Sequence, residues 1–483
     1  MSTTSLRPKV GLLALTLELY EKLVPGLRAS REAWVRQAII PALERSVEVL
    51  FEGAQFRREG VEATLADYEA ANVDAVLVLL LTYSPSQVAL PALRRTRLPL
   101  FVWNTQELAG VDHAFTLEQM LENHGVHGTQ DLANVLVRSG VPFHYVTSHL
   151  NDADGLAELT DGFIAAAAAK RLRSARVGML GYPFPGMGDF AVDTTQLTAT
   201  LGCAWVNLTV EDYIHRAAAA PPAAVGELVA AYRDSYAVAP GVTDADLDST
   251  ARVELAMRGM VTEHRLDAIT YQFMAFGDDE RTPTVPFVAA SRLMAEGIGF
   301  GGEGDLVAAA ATSLLDWLAP PATFTEMFTI DFAGNGLFMS HMGEANVAMA
   351  RLDRKVPLVA RPMPITRTRD RQLALVTCLQ PGPATFVSLA QAGGGRWRLI
   401  VAPMVVEDYG PLPDFFVPHF KMRPLGDVRR FLTAYARAGG PHHNALCFGD
   451  ARRRLRFLAQ MIGAEYHELE TGSGQAHDET ARA

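Results

Sequence analysis

The sequence predicts an α/β protein: two consecutive doubly wound units, then a β-rich C-terminal domain. Short apolar runs, such as residues 74–81 (DAVLVLLL) and 98–103 (LPLFVW), alternate with stretches of helical periodicity. That is the pattern of a parallel sheet covered by helices on both faces. The alternation starts afresh at residue 176 (RVGML). After Trp317 it gives way to PLVARPMP, QLALVTCLQ, ATFVSLAQA and GRWRLIVAPMVV, which suit an antiparallel barrel or sandwich. A chain of 483 residues is too long for one core, so two or three domains are expected.

The first strand is expected over 9–17. Glu18 interrupts its apolar run, and no small-residue cleavage site follows, so this is a strand and not a signal peptide. Periodicity through Trp34, Ala38, Ile39, Leu43 and Val47 predicts one helix over 29–50, merging into a strand near 47–51. A second helix covers 61–72. Parallel sheets bind ligands beyond the carboxyl ends of their strands. This singles out Thr82, Tyr83 and Ser84 after one strand, and Asn104, Thr105 and Gln106 after the next. His124 and His127 flank a glycine in a loop that opens a helix at about Thr129. A strand at 143–148 and a helix at 151–170 complete the unit.

In the second unit, strands are expected at 176–180, 204–208 and 267–273, with helices at 193–201, 243–264 and 286–297. Residues 217–222 join two helices. The turn GYPFPGMGDF lacks the GxGxxG spacing of a dinucleotide fingerprint. Two helices, 427–438 and 452–462, close the C-terminal domain around AGGPHHNALCFGD, and a disordered tail is expected from Thr471.

The net charge of −11, with no block of Lys or Arg, argues against nucleic acid or an anionic membrane as partner. Cys203, Cys378 and Cys447 are scattered with no CxxC pair, which points to a reducing compartment and hence the cytoplasm. No apolar run reaches the roughly 20 residues of a membrane span.

The chemistry concentrates between residues 297 and 344. Glu303 sits in the Gly-rich turn GFGGEGD, Glu326 in TEMFTIDF and His341 in MSHMGE. Singly, each has an ordinary structural role: a surface turn capped by Asp305, an exposed residue at a strand start, a hydrogen-bonded core histidine. His442 and His443 follow a Gly-Gly-Pro turn, and in extended chain at most one of them would face inward. Two carboxylates with two imidazoles form a mixed O/N set suited to Mn2+, Mg2+ or Co2+.

At these residues the chain resembles the L-arabinose isomerase family, with L-fucose isomerase more distant. GFGGEGDLVAAA is similar to the family's GFGAEGDWKTAA, MSHMGE to GSHMLE, and GGPHHNA to GGAHHT. The resemblance implies that Glu303, Glu326, His341 and His443 are metal ligands, with Mn2+ first and Mg2+ or Co2+ as alternatives, and leaves His442 a neighbour. LTYSPSQ is similar to HTFSPA and NHGVHG to NQTAHG, which puts Tyr83, His124 and His127 against the sugar; LTLELYE is similar to GSQxLYG, which adds Leu17 and Tyr20, and Phe273 matches a pocket Phe. Leu17 stands where the family has Gln, and His124 replaces another Gln. The resemblance also implies two Rossmann-like domains (1–172 and 173–317) and a C-terminal antiparallel β-barrel domain (318–470), followed by the tail 471–483. It further implies a homo-oligomer, often hexameric, with a pocket shared between subunits.

The expected function is therefore metal-dependent aldose–ketose isomerisation of an open-chain pentose or related sugar through an enediol. Glu303 and Glu326 are the expected acid/base pair, His127 binds a hydroxyl or assists ring opening, and no redox cofactor is needed. The two departures motivate an alternative, an isomerase or epimerase of a deoxy, branched or hexose sugar. A non-catalytic sugar-binding protein comes next, and an NAD-dependent enzyme last.

Overall fold

The structure, a computed structural model, describes residues 6–277, 279–361, 366 and 368–469. The tail expected from Thr471 lies outside them. The chain divides into two compact units, Leu6–Lys170 and the residues from Arg171 onward.

In the first unit a five-stranded parallel sheet has the order β2-β1-β3-β4-β5. Its strands are β1 (Lys9–Leu15), β2 (Glu48–Leu50), β3 (Ala75–Leu80), β4 (Leu100–Asn104) and β5 (His144–Thr147). All six residues of β3 are buried, as its unbroken apolar run requires of a central strand covered on both faces. The expected single helix over 29–50 is instead Leu27–Trp34, a π-helical stretch Val35–Ile39 and a last turn Ile40–Leu43. Pro41 supplies the reason: it has no N–H to donate and its ring crowds the preceding turn, so the helix widens ahead of it. A short helix, Leu117–Glu122, forms where none was expected, closed by a capping box of Thr116 and Gln119. The following helix starts at Gly125, four residues earlier than expected. His124 is its N-cap residue and His127 lies in its first turn.

The second unit opens with a four-stranded parallel sheet in the order β10-β9-β6-β7. Here β6 is Arg176–Leu180, β7 Ala204–Leu208, β9 Ala268–Tyr271 and β10 Gly299–Gly301. Taken from β7, this is the same succession as β2-β1-β3-β4, so the two α/β sheets share one winding.

The remaining large sheet closes on itself. Strands β11 (Ala322–Asp331), β12 (Gly336–Ser340), β15 (Gly382–Gln391), β16 (Trp397–Val406), β17 (His419–Pro424) and β18 (His443–Phe448) pair antiparallel in the order β15-β18-β11-β12-β17-β16. A β15–β16 pairing completes the barrel, and β19 (Glu465–Glu468) adds to β16 in parallel. Two of the four β-rich segments assigned to this domain are not in the barrel. Strands β13 (Pro357–Arg361) and β14 (Gln372–Leu375) form a separate small sheet with β8 (Ala237–Val238). Their alternation predicts strand but does not name the partner. Leu358, Leu373 and Leu375 bury against Tyr232, Leu247 and Val288 of the α/β layer.

The barrel is filled by Leu337, Met339, Phe386, Ile400, Met422 and Leu446. Because side chains alternate, Phe324 on β11 and Ala445 on β18 point out of it. Phe324 enters the core of the parallel sheet with Tyr271, Phe300 and Ala308. Between sheet and barrel runs the helix Leu306–Leu318, buried at every residue.

Near its end, Asp316 accepts a hydrogen bond from the Ala322 N–H at 3.2 Å, and burial pushes its carboxyl up to about 6. The folded chain therefore binds more protons than the unfolded chain between about pH 4 and 6, and stability falls as pH rises through that window. Asp316→Asn keeps an acceptor and removes the charge. It is expected to stabilise the protein by about 2 kcal/mol at pH 7 and by nothing at pH 4, read as a difference in Tm. Among the described residues, no helix is long and apolar enough to cross a membrane.

Candidate functional site

Glu303 stands at the carboxyl end of β10, in the turn Gly302-Glu303-Gly304. Its φ of +58° is in the left-handed region, which costs a non-glycine residue energy unless the surroundings impose it. They do so through Thr270 on β9, whose hydroxyl donates to the Gly301 carbonyl at 2.7 Å and accepts from the Gly304 N–H at 3.0 Å. Gly302 is needed for a different reason. A Cβ there would lie 2.9 Å from His341 Nε2 and 3.0 Å from the Phe324 ring.

The barrel contributes the other groups on its outer face. Glu326 is the fifth residue of β11, not a strand start, and pairs with Ser340 on one side and His443 on the other. A bulge follows directly, between Met327 and Thr329, as is common beside functional sites. His341 comes one residue after β12, and His443 opens β18.

These four residues converge. His443 Nε2 is 3.7 Å from Glu303 Oε2, and His341 Nε2 is 4.0 Å from Glu326 Oε2. Phe324 packs edge-on against both imidazoles. Each imidazole has its other nitrogen committed: His341 Nδ1 to Glu344 Oε2 at 2.6 Å, and His443 Nδ1 to Asp305 Oδ2 at 2.9 Å. The Tyr271 hydroxyl in turn donates to Glu344. Asp305 serves twice. Its Oδ1 caps the helix Leu306–Leu318 through the Val307 and Ala308 N–H groups, and its Oδ2 holds His443.

Electrostatics follow from this geometry. Burial pushes the Glu303 carboxyl up, but contact with His443 and the charges of His341, His443 and His442 outweigh it and hold the group below the usual range. Burial opposes charge on His443, yet Asp305 and Glu303 raise it to about 10. Burial likewise opposes charge on His341, and the Glu344 carboxylate reverses the direction.

The residues fit a divalent cation. His443 Nε2 is a buried polar atom with no hydrogen-bond partner, and a buried nitrogen in that state calls for one. Donor atoms of Glu326, His341 and His443 all lie within 4.8 Å of one another, as do those of Glu303, His442 and His443. Carboxylates behind Nδ1 are the arrangement that fixes an imidazole's Nε2 toward a metal. Both histidines of the pair reach this cluster, contrary to the alternation argument. His442 sits in a bend before β18, so the two-residue period of a strand does not apply to it. Nothing in the sequence marks Glu344 or Asp189 as site residues, Asp305 reads there only as a helix cap, and His442 only as a neighbour of His443. Only the spacing of His341 and Glu344, three apart beyond a strand, hinted at the first imidazole's partner. Gly302→Ala is expected to displace His341 and lower divalent-cation affinity at least about tenfold, read by titration calorimetry.

In the first unit, His127 Nδ1 and His124 Nε2 are 2.9 Å apart, a contact that their positions three apart on one helix turn allow. Tyr83 stacks on His127 with ring centres 4.4 Å apart, and the Tyr20 hydroxyl is 3.5 Å from His124 Nδ1. Leu17 is half-buried and precedes the helix Glu18–Leu23. Phe273, in the second unit, is buried in the α/β core beside Phe184.

Comparison with known proteins agrees with these landmarks. Two adjoining family models match, the L-arabinose isomerase central domain over residues 186–320 and the L-arabinose isomerase C-terminal domain over 321–465. L-arabinose isomerase from Acidothermus cellulolyticus is 29% identical over 82% of this chain and 81% of its own. That of Nocardioides sp. is 29% identical over 88% and 85%, and L-arabinose isomerase 1 of Bacillus licheniformis 26% over 82% and 82%. A sugar-binding protein of known structure, a periplasmic solute binding protein from Actinobacillus succinogenes with bound D-allose, aligns at 14% identity over 65% of this chain and 92% of its own. The TM-score is 0.18. The matched models take in β7, β9 and β10 of the parallel sheet, with Glu303, and the barrel with Glu326, His341 and His443, and the chain belongs to the L-arabinose isomerase family of sugar isomerases.

Proposed function

We propose that the protein is a metal-dependent aldose–ketose isomerase acting on an open-chain pentose or related sugar through an enediol. The observation that carries the metal dependence is the buried, unpartnered Nε2 of His443, turned toward Glu303 with Nδ1 held by Asp305. Glu303, Glu326, His341 and His443 would hold the cation, Mn2+ before Mg2+ or Co2+ given the mixed O/N set. When bound, it would supply Lewis-acid polarisation of the sugar carbonyl.

The chain's own part is proton transfer. Glu303 is held in the ionised form that can accept a proton, in the left-handed turn after β10. One carboxylate of the Glu303 and Glu326 pair takes the C2 proton, which leaves an enediolate with its charge on O1; the O2 hydroxyl proton passes to O1 through the enediol, and the carboxylic acid so formed returns its proton to C1 to give the ketose. Phe324 and Phe190 exclude water from the imidazole side of the cluster. The test is turnover of a panel of pentoses and hexoses with Mn2+; full activity in EDTA would sink the reading.

A second reading keeps the chemistry and changes the sugar. It is favoured by the His124–His127 contact, because an imidazole at 124 gives His127 a partner that an amide would replace differently. If His124 selects the sugar, His124→Gln is expected to shift the kcat/KM ratio between L-arabinose and the preferred substrate by about tenfold toward L-arabinose. An unchanged ratio across the panel removes His124 from specificity. We also place the protein in the cytoplasm as a homo-oligomer, the first supported by three buried, unpaired cysteines. Cell fractionation and sedimentation test the two points.

A further inference from the structure

We propose that the crevice beside residues 350–356 binds a phosphate monoester and acts as an effector site, separate from the cluster of Glu303, Glu326, His341 and His443. Binding there needs neither the cation nor the sugar reaction, so the proposal goes beyond the functional reading above.

A charge arrangement carries it. In a chain of net charge −11, the stretch RLDRK places Arg351, Arg354 and Lys355 within one short loop. Arg351 and Arg354 turn their guanidinium forks on the same carboxylate. Asp353 Oδ1 accepts from Arg351 Nε at 3.2 Å and from Arg354 Nε at 3.1 Å. Its Oδ2 accepts from Arg351 Nη2 at 3.0 Å and from Arg354 Nη2 at 2.9 Å. Both contacts are bidentate, the geometry by which arginine takes a carboxylate or a phosphate. The Arg351 side chain is 14% exposed and that of Asp353 46%. The cation is thus the enclosed partner, and the anion it holds stands where a dissolved anion can replace it.

The charges favour that exchange. Arg351, Arg354 and Lys355 face the carboxylates of Asp353 and Asp408, the latter also held by Arg351. An ion pair as exposed as that of Asp353 and Arg354 is worth little to the fold, so giving it up costs little. A phosphate monoester brings about −1.5 to −2 charges at pH 7 where a carboxylate brings one, and three oxygens for the forks.

The crevice has a volume of about 620 Å3, within the range of small-molecule sites. Its apolar lining is Tyr236, Ala295, Val347, Ala348 and Val356. Cations beside an apolar wall suit a phosphate carried on a small carbon frame, such as a sugar phosphate. The loop is fixed before any ligand arrives. The Arg351 N–H donates to the Cys378 carbonyl at 2.9 Å, the Leu352 N–H to Gln380 Oε1 at 3.1 Å, and the Lys355 ammonium to the Asp234 carbonyl. Little ordering is left to oppose binding.

The wall of the crevice leads to Glu344. Val347 and Ala348 belong to the short helical turn Val347–Met349, which Asn346 caps by accepting the Ala348 N–H at 2.9 Å. Asn346 is fully buried, and its Nδ2 donates to the Met294 carbonyl at 3.1 Å and to the Ala322 carbonyl at 2.7 Å. Ala322 begins β11, the strand of Glu326, and Glu344 lies two residues before Asn346. A ligand against Ala348 therefore presses on the segment that places both groups.

The test is calorimetry on the full chain in EDTA without substrate, with inorganic phosphate and ribose 5-phosphate as probes. The ester is expected to bind the wild type, with phosphate as its competitor. Arg354→Gln should raise the Kd at least about tenfold, and Asp353→Asn, which removes the resident anion, should lower it at least about tenfold. Both side chains are about half exposed, so neither variant threatens the fold. No binding of either probe, or a Kd in both variants equal to that of the wild type, would overturn the proposal. With a sugar that is turned over, ribose 5-phosphate should shift KM in the wild type and not in Arg354→Gln. An unshifted wild-type KM overturns the effector role. A shift that persists in Arg354→Gln places the ester at the reaction site and overturns the proposal. If no sugar is turned over, the isomerase reading fails, and the calorimetry still decides this site.

Discussion

Glu303→Gln is expected to lower kcat by at least about 10³-fold while the protein stays folded. The substitution keeps the shape of the side chain and the left-handed turn, so the Thr270 hydrogen bonds and the cap of the following helix survive. It removes the charge that His443 faces at 3.7 Å, and with it the capacity to accept a carbon-bound proton. Steady-state kinetics with the best sugar of the panel, beside circular dichroism and Tm, separate loss of chemistry from loss of fold. A kcat within tenfold of wild type would take Glu303 out of the proton transfer.

Removal of divalent cations is expected to have the second large effect. Chelation should abolish turnover, and Mn2+ should restore it. The stability consequence depends on pH, and its sign is set by His443. Without a cation its imidazole is raised to about 10, above the roughly 6.5 of an unfolded histidine. A raised histidine contributes stability in full below the unfolded value and loses it as pH climbs toward the folded one. The cation-free chain should therefore weaken between about pH 6.5 and 10. On the proposed metal-dependent reading, cation and proton would compete for the same Nε2, so binding would release protons and apparent affinity would rise with pH over this window. At a free cation concentration of 100 Kd the stabilisation is about 2.7 kcal/mol. The Tm gap between Mn2+-loaded and EDTA-treated protein should widen as pH rises from 6 to 9. A gap that is constant or narrows would show that His443 is not where cation and proton meet.

The α/β character and the change after Trp317 were legible because period and composition are local properties. A run such as DAVLVLLL can only be a covered strand, and β3 is one. Partnership is not local. Nothing in PLVARPMP says that β13 will leave the barrel strands for Ala237 and Val238, because pairing is decided by surfaces remote in sequence. The site divides in the same way. Glu303 announces itself by glycines on both sides, and the His442–His443 pair by its Gly-Gly-Pro turn. The carboxylates behind the imidazoles do not, since Asp305 looks like a helix cap and is one. Its second oxygen becomes meaningful only when His443, 138 residues later, is brought to 2.9 Å.

The helix Leu306–Leu318 has no residue facing water. A surface helix can absorb a change of side-chain volume by shifting toward solvent. This one is enclosed between the parallel sheet and the barrel, so each position is judged by neighbours on every side. It also begins at the aspartate that holds His443. An added methylene along its length would push, through close-packed contacts, on the placement of an imidazole. The seam between the two matched family domains falls two residues past its end. That seam divides the sequence into heritable segments but does not divide the solid into exchangeable parts. Grafting a barrel from a relative onto this sheet would require the helix to be redrawn with it.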